Sequence, residues 1–406
     1  MSSYRWVVES LMFLMYMAFG ISWMAYVPLM ADLVAHFQIK PTSVAFVISL
    51  VSVSKAFVPL LAGVLAARIG LKRALLVGAC LSALSILIPS APTFPILLAL
   101  RFVFGIGGAI LVTLMGPMAM DWFPRSELPL VNGLNNVAVN TGITIALYTA
   151  VPLSKQVGWQ QALQLYATAS LVLAVLWALF GRNRALEPDP AKPKASGGPA
   201  VAILDLMKLP ETWLIALAFG GPLSLYLALN TWLPSHFESA FKLPRADASA
   251  ATGLFNLVGI PSAILGGWLT TRLGLRRPII MLSGLLMPCA SAALICLGDN
   301  PPIRTLAAVV LGLSFFIATS PVFTIPTELA GLTSRHVAIL NGIVFSFSYI
   351  LSFFSPLIVG QLKEHTGSYL PGLLLFAVGS SVTALAGYLL PETGPRRAQG
   401  HLRDAA

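Results

Sequence analysis

Lys55 is the residue with the most chemistry to offer, because it falls in the middle of a long apolar run, among Ser52, Ser54 and Pro59. A cation at bilayer mid-depth costs about 2.5–3.5 kcal/mol on insertion scales, so such a residue is kept for a pathway or a partner. No Asp or Glu falls in the interior of a comparable run; Glu9, Asp32, Asp121 and Glu328 all sit near run ends. An anionic solute arriving from water then supplies the missing negative charge. The alternative is a neutral lysine, or one bonded to carbonyls that holds helices apart. Arg101 lies near the outer end of another run, and Arg304 holds nearly the matching place later in the chain. Guanidinium groups fit carboxylates well, so Arg101 reads either as an outer relay for an anion or as packing against helix ends, and Arg304 as interfacial.

Polar and aromatic stripes accompany these cations. Tyr16, Phe19, Trp23 and Tyr26 follow at spacings of three, four and three, which places them on one helical face. Asn132, Asn136, Asn140, Thr144 and Tyr148 recur at every fourth position. Such groups are costly against hydrocarbon, so they are expected to face protein or a water-filled cavity. Later runs add Tyr226, Asn230 and Trp232, then Ser348, Ser352 and Ser355. The expected substrate contacts are Lys55, Arg101, Tyr16, Trp23, Asn136, Asn140, Tyr226 and Asn230. For the aromatic stripe, ordinary helix packing or interfacial anchoring is the competing reading.

The elements that must position these groups follow from composition. The chain has 406 residues, 57% hydrophobic and 10% charged, against roughly 45–50% and about 25% for a soluble globular protein. That leaves too few charges to cover a water-soluble surface, so lipid is the main solvent. Cys80, Cys289 and Cys296 all lie in apolar runs, with neither disulfide-scaffold nor metal-ligand spacing. The net charge of +10 falls in short gaps between apolar stretches, which speaks for membrane topology and against a nucleic-acid face.

Each spanning helix needs about 20 apolar residues. Twelve runs qualify, at about 6–33, 43–66, 74–90, 96–120, 128–153, 162–181, 209–233, 247–270, 279–298, 305–326, 337–361 and 369–390. With the N-terminus inside, seventeen Lys and Arg fall on inner segments and six on outer ones. The positive-inside rule therefore places both termini in the cytoplasm. A stretch rich in Pro, Lys and Gly between spans 6 and 7 reads as a tether. It divides the chain into a bundle over residues 1–185, a cytoplasmic linker over 186–207, and a second bundle with a short tail over 208–406.

The halves repeat. GVLAARIGLKR (Gly63 to Arg73) returns as GWLTTRLGLRR (Gly267 to Arg277), 204 residues on and with six of eleven positions identical. Pro117 matches Pro321, and Asn132-Gly133 matches Asn341-Gly342 at nearly the same offset. The expected fold is an all-α integral membrane protein, twelve transmembrane helices in two pseudo-symmetric six-helix bundles. Position 259, the counterpart of Lys55, is Gly, so the charge is single and the site asymmetric.

These features resemble the major facilitator superfamily over essentially the whole chain. The loop after span 2 resembles the pattern G-x-x-x-D-R-x-G-R-R through Gly63, Arg68, Gly70 and Arg73, and its second copy through Gly267, Arg272, Gly274 and Arg277, with Ala67 and Thr271 in place of the Asp. Arg101, Gly105 and Gly107 resemble the R-x-x-x-G-x-G element of span 4. The second half is most similar to the cyanate and nitroimidazole porter group, through Leu229 to Phe237, Gly253 to Ser262, Ser355 to Gly360 and Leu390 to Arg397; span 1 has Gly20 to Trp23 where that group carries Asn-Leu-Arg. The resemblance implies a conformational latch in which Asp121 pairs with Arg68 or Arg73, and Glu328 with Arg272 or Arg277.

The function expected is a secondary or facilitative carrier that moves a small anion by alternating access, in the inner cell membrane and as a monomer. The alternative is a multidrug or metabolite exporter of the same superfamily. A proton titrating on Lys55, or an exchanged anion, would couple transport. No cofactor, metal site, nucleic-acid partner or enzymatic motif is expected: there is no G-x-x-x-x-G-K-[ST] loop, no H-E-x-x-H and no G-x-S-x-G.

Overall fold

The computed structural model describes residues 3–124, 127–183, 199–329, 332 and 334–394, and among them every regular element is helical. In chain order the helices are α1 (Tyr4–Met24), α2 (Met30–Phe37), α3 (Ala45–Ile69), α4 (Leu71–Ala83), α5 (Phe94–Trp122), α6 (Leu128–Val157), α7 (Trp159–Phe180), α8 (Pro199–Met207), α9 (Pro210–Phe241), α10 (Arg245–Leu273), α11 (Arg277–Cys296), α12 (Pro301–Glu328), α13 (Ser334–Thr366), α14 (Leu370–Gly379) and α15 (Val382–Leu389). Short 3-10 turns lead into α3 and extend α4. Among the described residues, twelve helical stretches are long and apolar enough to cross a membrane; α14 and α15 together make the last.

Local chemistry sets the boundaries. Helices α5, α9, α11, α12 and α14 carry proline in the first turn, where its missing N–H would be unsatisfied anyway. Gly70, at φ 84°, ends α3 and opens α4, and Gly274, at φ 62°, ends α10. The repeated loop thus places its glycine at a left-handed turn that a side chain would strain.

Two expectations change. The first span, read to residue 33, stops at Met24, and Met30 opens the separate eight-residue α2. Pro28 between them has no N–H with which to continue the helix. The stretch read as linker ends in a helix, α8, whose Leu206 is 3% exposed in a core with Ile215, Ile280, Val322 and Leu340. The apolar character of AVAILDLM wins there over the tether-like composition before it. Residues 184–198 lie outside the described residues.

The chain divides into two compact units, Met1–Ser196 and Gly197–Ala406. In the first, α1 packs on α6 and α5 on α3 and α4; in the second, α9 packs on α13 and α12 on α10 and α11. The same pairing of corresponding helices is what a duplicated bundle requires.

Glycine sets the close approaches. A Cβ on Gly20 would stand 2.4 Å from the Val139 carbonyl oxygen, and one on Gly142 2.0 Å from that of Met17, so α1 and α6 touch backbone to backbone. Along α5, Gly105 admits Ser54 of α3, Gly107 admits Ser82 of α4, and Gly108 admits the Phe19 ring of α1.

Candidate functional site

Lys55 sits on α3 and is 2% exposed. Its ammonium lies 4.1 Å from the Trp23 ring centroid, 5.2 Å from that of Phe19 and 5.7 Å from that of Tyr16, and it donates to Tyr16 Oη at 3.4 Å. The aromatic stripe of α1 therefore forms the wall against which this cation is held. Each such face contributes about 0.5–2 kcal/mol, more as water is excluded. Phe19 is fixed in turn by stacking on Tyr16 and on Phe104, with centroids at 5.7 and 4.6 Å. Pro59 cannot donate to the Lys55 carbonyl four residues back, which loosens the helix at this point.

Arg101, fully buried on α5, is used differently. Its Nε donates to the Val47 carbonyl at 2.8 Å, while Nη1 and Nη2 donate to those of Ser22 and Trp23, each at 2.9 Å. The last two carbonyls belong to the final turn of α1, where the helix leaves its C-terminal acceptors without internal donors. Its guanidinium lies 4.5 Å from the Tyr26 centroid and 4.9 Å from that of Phe104. Arg101 thus caps α1 and ties it to α3 and α5. Of its two readings, this geometry favours packing against helix ends. Arg304 donates to the Gly298 carbonyl at 2.8 Å, near the start of α12.

Along α6, Asn140 and Thr144 are buried, Asn132 and Tyr148 are exposed, and the Asn136 side chain lies outside the described residues. Asn140 stands between Val139 and Gly142, the two contacts with α1, and so at the level of Met17 to Gly20 and of the aromatic wall. Buried hydroxyls without a hydrogen-bond partner collect in this unit: Ser22 on α1, Ser49 and Ser52 on α3 and Thr144 on α6, with Ser82 on α4, Ser85 in its 3-10 extension and Ser170 on α7. Buried polar atoms are normally paired, and these are not. Ser52 is one turn before Lys55. Ser22 and Ser49 were not singled out from sequence, since single serines in apolar spans more often bond to their own helix.

The second unit is polar but self-satisfied. Tyr226 Oη donates to Asn256 Oδ1 at 2.7 Å, Asn256 Nδ2 to Asn230 Oδ1 at 2.8 Å, and Asn230 Nδ2 to the Tyr226 carbonyl at 2.9 Å. Ser352 and Ser355 bond to carbonyls of their own helix, Ser348 to that of Ala216, and Trp232 to that of Pro356. Among the described residues of this unit, Asn341 Oδ1 is the one buried side-chain atom left unpaired. At Gly259, the counterpart of Lys55, the Phe316 ring occupies the space: a Cβ there would stand 2.2 Å from it.

The repeated loops differ from expectation in one pairing. Glu328 pairs with Arg276 at 2.7 Å, not with Arg272 or Arg277. Arg276 precedes α11, so its side chain is free to turn back, donating Nε to the same carboxylate at 3.1 Å. Arg277 donates to the carbonyls of Gly387 and Tyr388, and Arg272 lies over Trp268 at 4.9 Å. Thr393 donates to Glu328 at 2.6 Å, and the Glu392 carboxylate accepts the backbone N–H groups of Arg276 and Arg277 at 2.8 and 3.0 Å. In the first unit Arg68, Arg73 and Gly63 are exposed and Asp121 is half-buried; the loop is held by Asn183, which accepts from the Lys72 N–H at 2.8 Å. A Cβ on Gly63 meets nothing within 4 Å, and one on Gly267 meets Ser320 at 3.8 Å.

A family model described as Major Facilitator Superfamily matches residues 12–356. The chain is 26% identical over 296 residues to the nitrite extrusion protein of Bacillus subtilis, covering 72% of this chain and 70% of that protein. It is 26% identical over 382 residues to the probable sulfoacetate transporter SauU of Cupriavidus necator, covering 86% of each. Among solved structures, the nucleoside transporter NupG is similar at a TM-score of 0.76 and 16% identity, covering 95% of this chain and 99% of that one. At that identity the likeness concerns the fold. With its twelve spanning helices and a family match over most of its length, the chain belongs to the Major Facilitator Superfamily of multi-pass membrane transporters, and it is not an enzyme.

Proposed function

We propose that this transporter moves a small anion by alternating access, with Lys55 supplying the charge that holds it. The observation that carries the reading is the buried ammonium against Tyr16, Phe19 and Trp23, in the unit whose hydroxyls at Ser22, Ser49, Ser52 and Thr144 have no partner. An ammonium has three donors and no acceptor, so an oxyanion is a ligand it accepts directly. At 4 Å and an effective dielectric of 20, such a pair gains about 4 kcal/mol, more than the roughly 2 kcal/mol of a desolvated aromatic contact. Serine and threonine hydroxyls are suited to orient the remaining oxygens. Both relatives described above are named for anions, nitrite and sulfoacetate. Tyr16, Trp23 and Asn140 complete the site in this reading, and the transporter works as a monomer in the inner membrane with both termini cytoplasmic.

A thermal-shift series on the purified protein tests it. Nitrite, nitrate and sulfoacetate are expected to raise the unfolding temperature of the wild type and leave that of Lys55→Ala unmoved. Stabilisation of both forms by neutral or cationic solutes, with no response to any anion, would end the anion reading.

A further inference from the structure

At the end of the first unit where α1 and α4 begin, two cations are fixed by their backbones and left without a carboxylate. The segment leaving α7 is tied on both sides there. Tyr4 Oη donates to the Phe180 carbonyl, and the Trp122 indole donates to that of Arg182 at 3.3 Å. One residue on, Asn183 Oδ1 accepts the Lys72 N–H at 2.8 Å, and the buried Trp177 donates to the Lys72 carbonyl at 3.0 Å. Consecutive Cα atoms stand only about 3.8 Å apart, so these bonds bring Arg182 and Lys72 to one corner.

The exposed Arg182 guanidinium lies 4.3 Å from the Tyr4 ring centroid. Stacking holds one face of the group, while its N–H donors point outward in the plane and stay available. Among the described residues, neither Arg182 nor the Lys72 ammonium has an ion-pair partner. Glu127, at the start of α6, is taken by Arg5 at 3.1 Å. Asp121, in the last turn of α5, is engaged by other groups. An anion from outside the chain therefore has two cations to meet here.

Helix α7 decides which anion. Its last turns expose Val175, Leu179 and Phe180 immediately before Arg182, so the surface passes from apolar to basic within about two turns. Tyr4 and Trp122, at the same level, are residue types that settle where a bilayer meets water. An acidic phospholipid matches both parts: acyl chains on the apolar face, and a phosphate on the planar guanidinium with the lysine as a second charge. Free phosphate would use the charges and leave the apolar face idle. We infer that Arg182 and Lys72 form the headgroup site for one acidic phospholipid, whose acyl chains lie along the last turns of α7. The site is independent of the transported solute; only its leaflet, the inner one, rests on the orientation proposed above.

Native mass spectrometry and thermal shift of the purified full chain read the site, with phosphatidylglycerol as the probe. The wild type is expected to retain one phosphatidylglycerol, and to unfold at a higher temperature with it than with phosphatidylcholine. Arg182→Gln and Lys72→Gln are each expected to weaken retention about fivefold, the usual effect of one cation beside an anionic lipid. Lys155→Gln, which removes an exposed charge at the far end of α6, should leave it unchanged. Arg182→Lys keeps the charge without the planar fork and should recover only part. Should Arg182→Gln fail to fold, Lys72→Gln carries the test alone. Undiminished retention in the glutamine variants, or an equal loss in Lys155→Gln, overturns the proposal. Equal retention of phosphatidylcholine overturns it too, because the headgroup charge would then not matter. Displacement of the lipid by inorganic phosphate at low millimolar concentration would assign the corner to free phosphate and reject the lipid.

Discussion

Lys55 and Arg101 are both buried cations of one helical unit, and the destination of their donors separates them. Every guanidinium nitrogen of Arg101 reaches a backbone carbonyl, two of them at the end of α1. Arg101→Ala strands those acceptors and is expected to cost at least about 1–3 kcal/mol, the range for leaving a buried polar group unsatisfied. Arg101→Lys should recover only part, since an ammonium lacks the planar fork. Lys55→Ala is expected to lower the unfolding temperature in detergent far less, and to abolish its response to anions instead. Equal losses from the two alanine variants would count against the division of roles. Both residues were visible as cations inside apolar runs. Their roles were not, because two of the three acceptors of Arg101 are open only where α1 stops, and hydropathy does not mark that end.

At the scale of the helix, α5 is the element that gathers its neighbours, since its successive glycines seat α3, α4 and α1. A Cβ on Gly108 would stand 2.0 Å from the Phe19 ring, which lies 5.2 Å from the Lys55 ammonium. Gly108→Val is therefore expected to cost at least about 1–3 kcal/mol of stability, the usual toll of overpacking. It should also weaken the anion-induced thermal shift by displacing Phe19. Gly133, in α6, has open space where its Cβ would go, so Gly133→Ala should stabilise by about 0.5–1 kcal/mol. Normal anion response in Gly108→Val would show that Phe19 is packing alone. Gly105 and Gly107 stood out in the sequence through their resemblance to the R-x-x-x-G-x-G element; which helix each glycine of α5 admits depends on crossing positions that no local spacing encodes.

For the whole molecule, duplication accounts for the shared helix pairing, while the two units differ in how their polar groups are satisfied. The second unit has Gly259 at the position matching Lys55, with the Phe316 ring in that space, and its Tyr226, Asn256 and Asn230 side chains bond to one another. It carries a different device: the segment after α15 clamps the loop between α10 and α11 through Glu392, while Thr393 donates to Glu328 at the end of α12. Bonds from a carboxylate to backbone N–H groups contribute about 1.5–3 kcal/mol each. Glu392→Gln should accordingly speed hydrogen exchange at the Arg276 and Arg277 amides roughly tenfold or more, with unchanged exchange the contrary result. Orientation is tested at this scale too. In a background lacking the native cysteines, Lys242→Cys should react with an impermeant maleimide from outside intact cells and Lys72→Cys should not, as the distribution of basic residues requires.

Composition and periodicity alone determined the solvent, the twelve spans and the internal repeat, because a bilayer demands long apolar helices whatever their contacts. The left-handed glycines at 70 and 274 were also written in the repeated loop. Tertiary structure alone decided which polar groups are consumed and which are held open: Arg101 on the end of α1, Arg276 on Glu328, Tyr226 on Asn256, and Arg182 held open over the Tyr4 ring. The reason is physical. Burial in lipid depends on each helix's own sequence, whereas the satisfaction of a buried donor or acceptor depends on what a distant segment brings within about 3 Å of it.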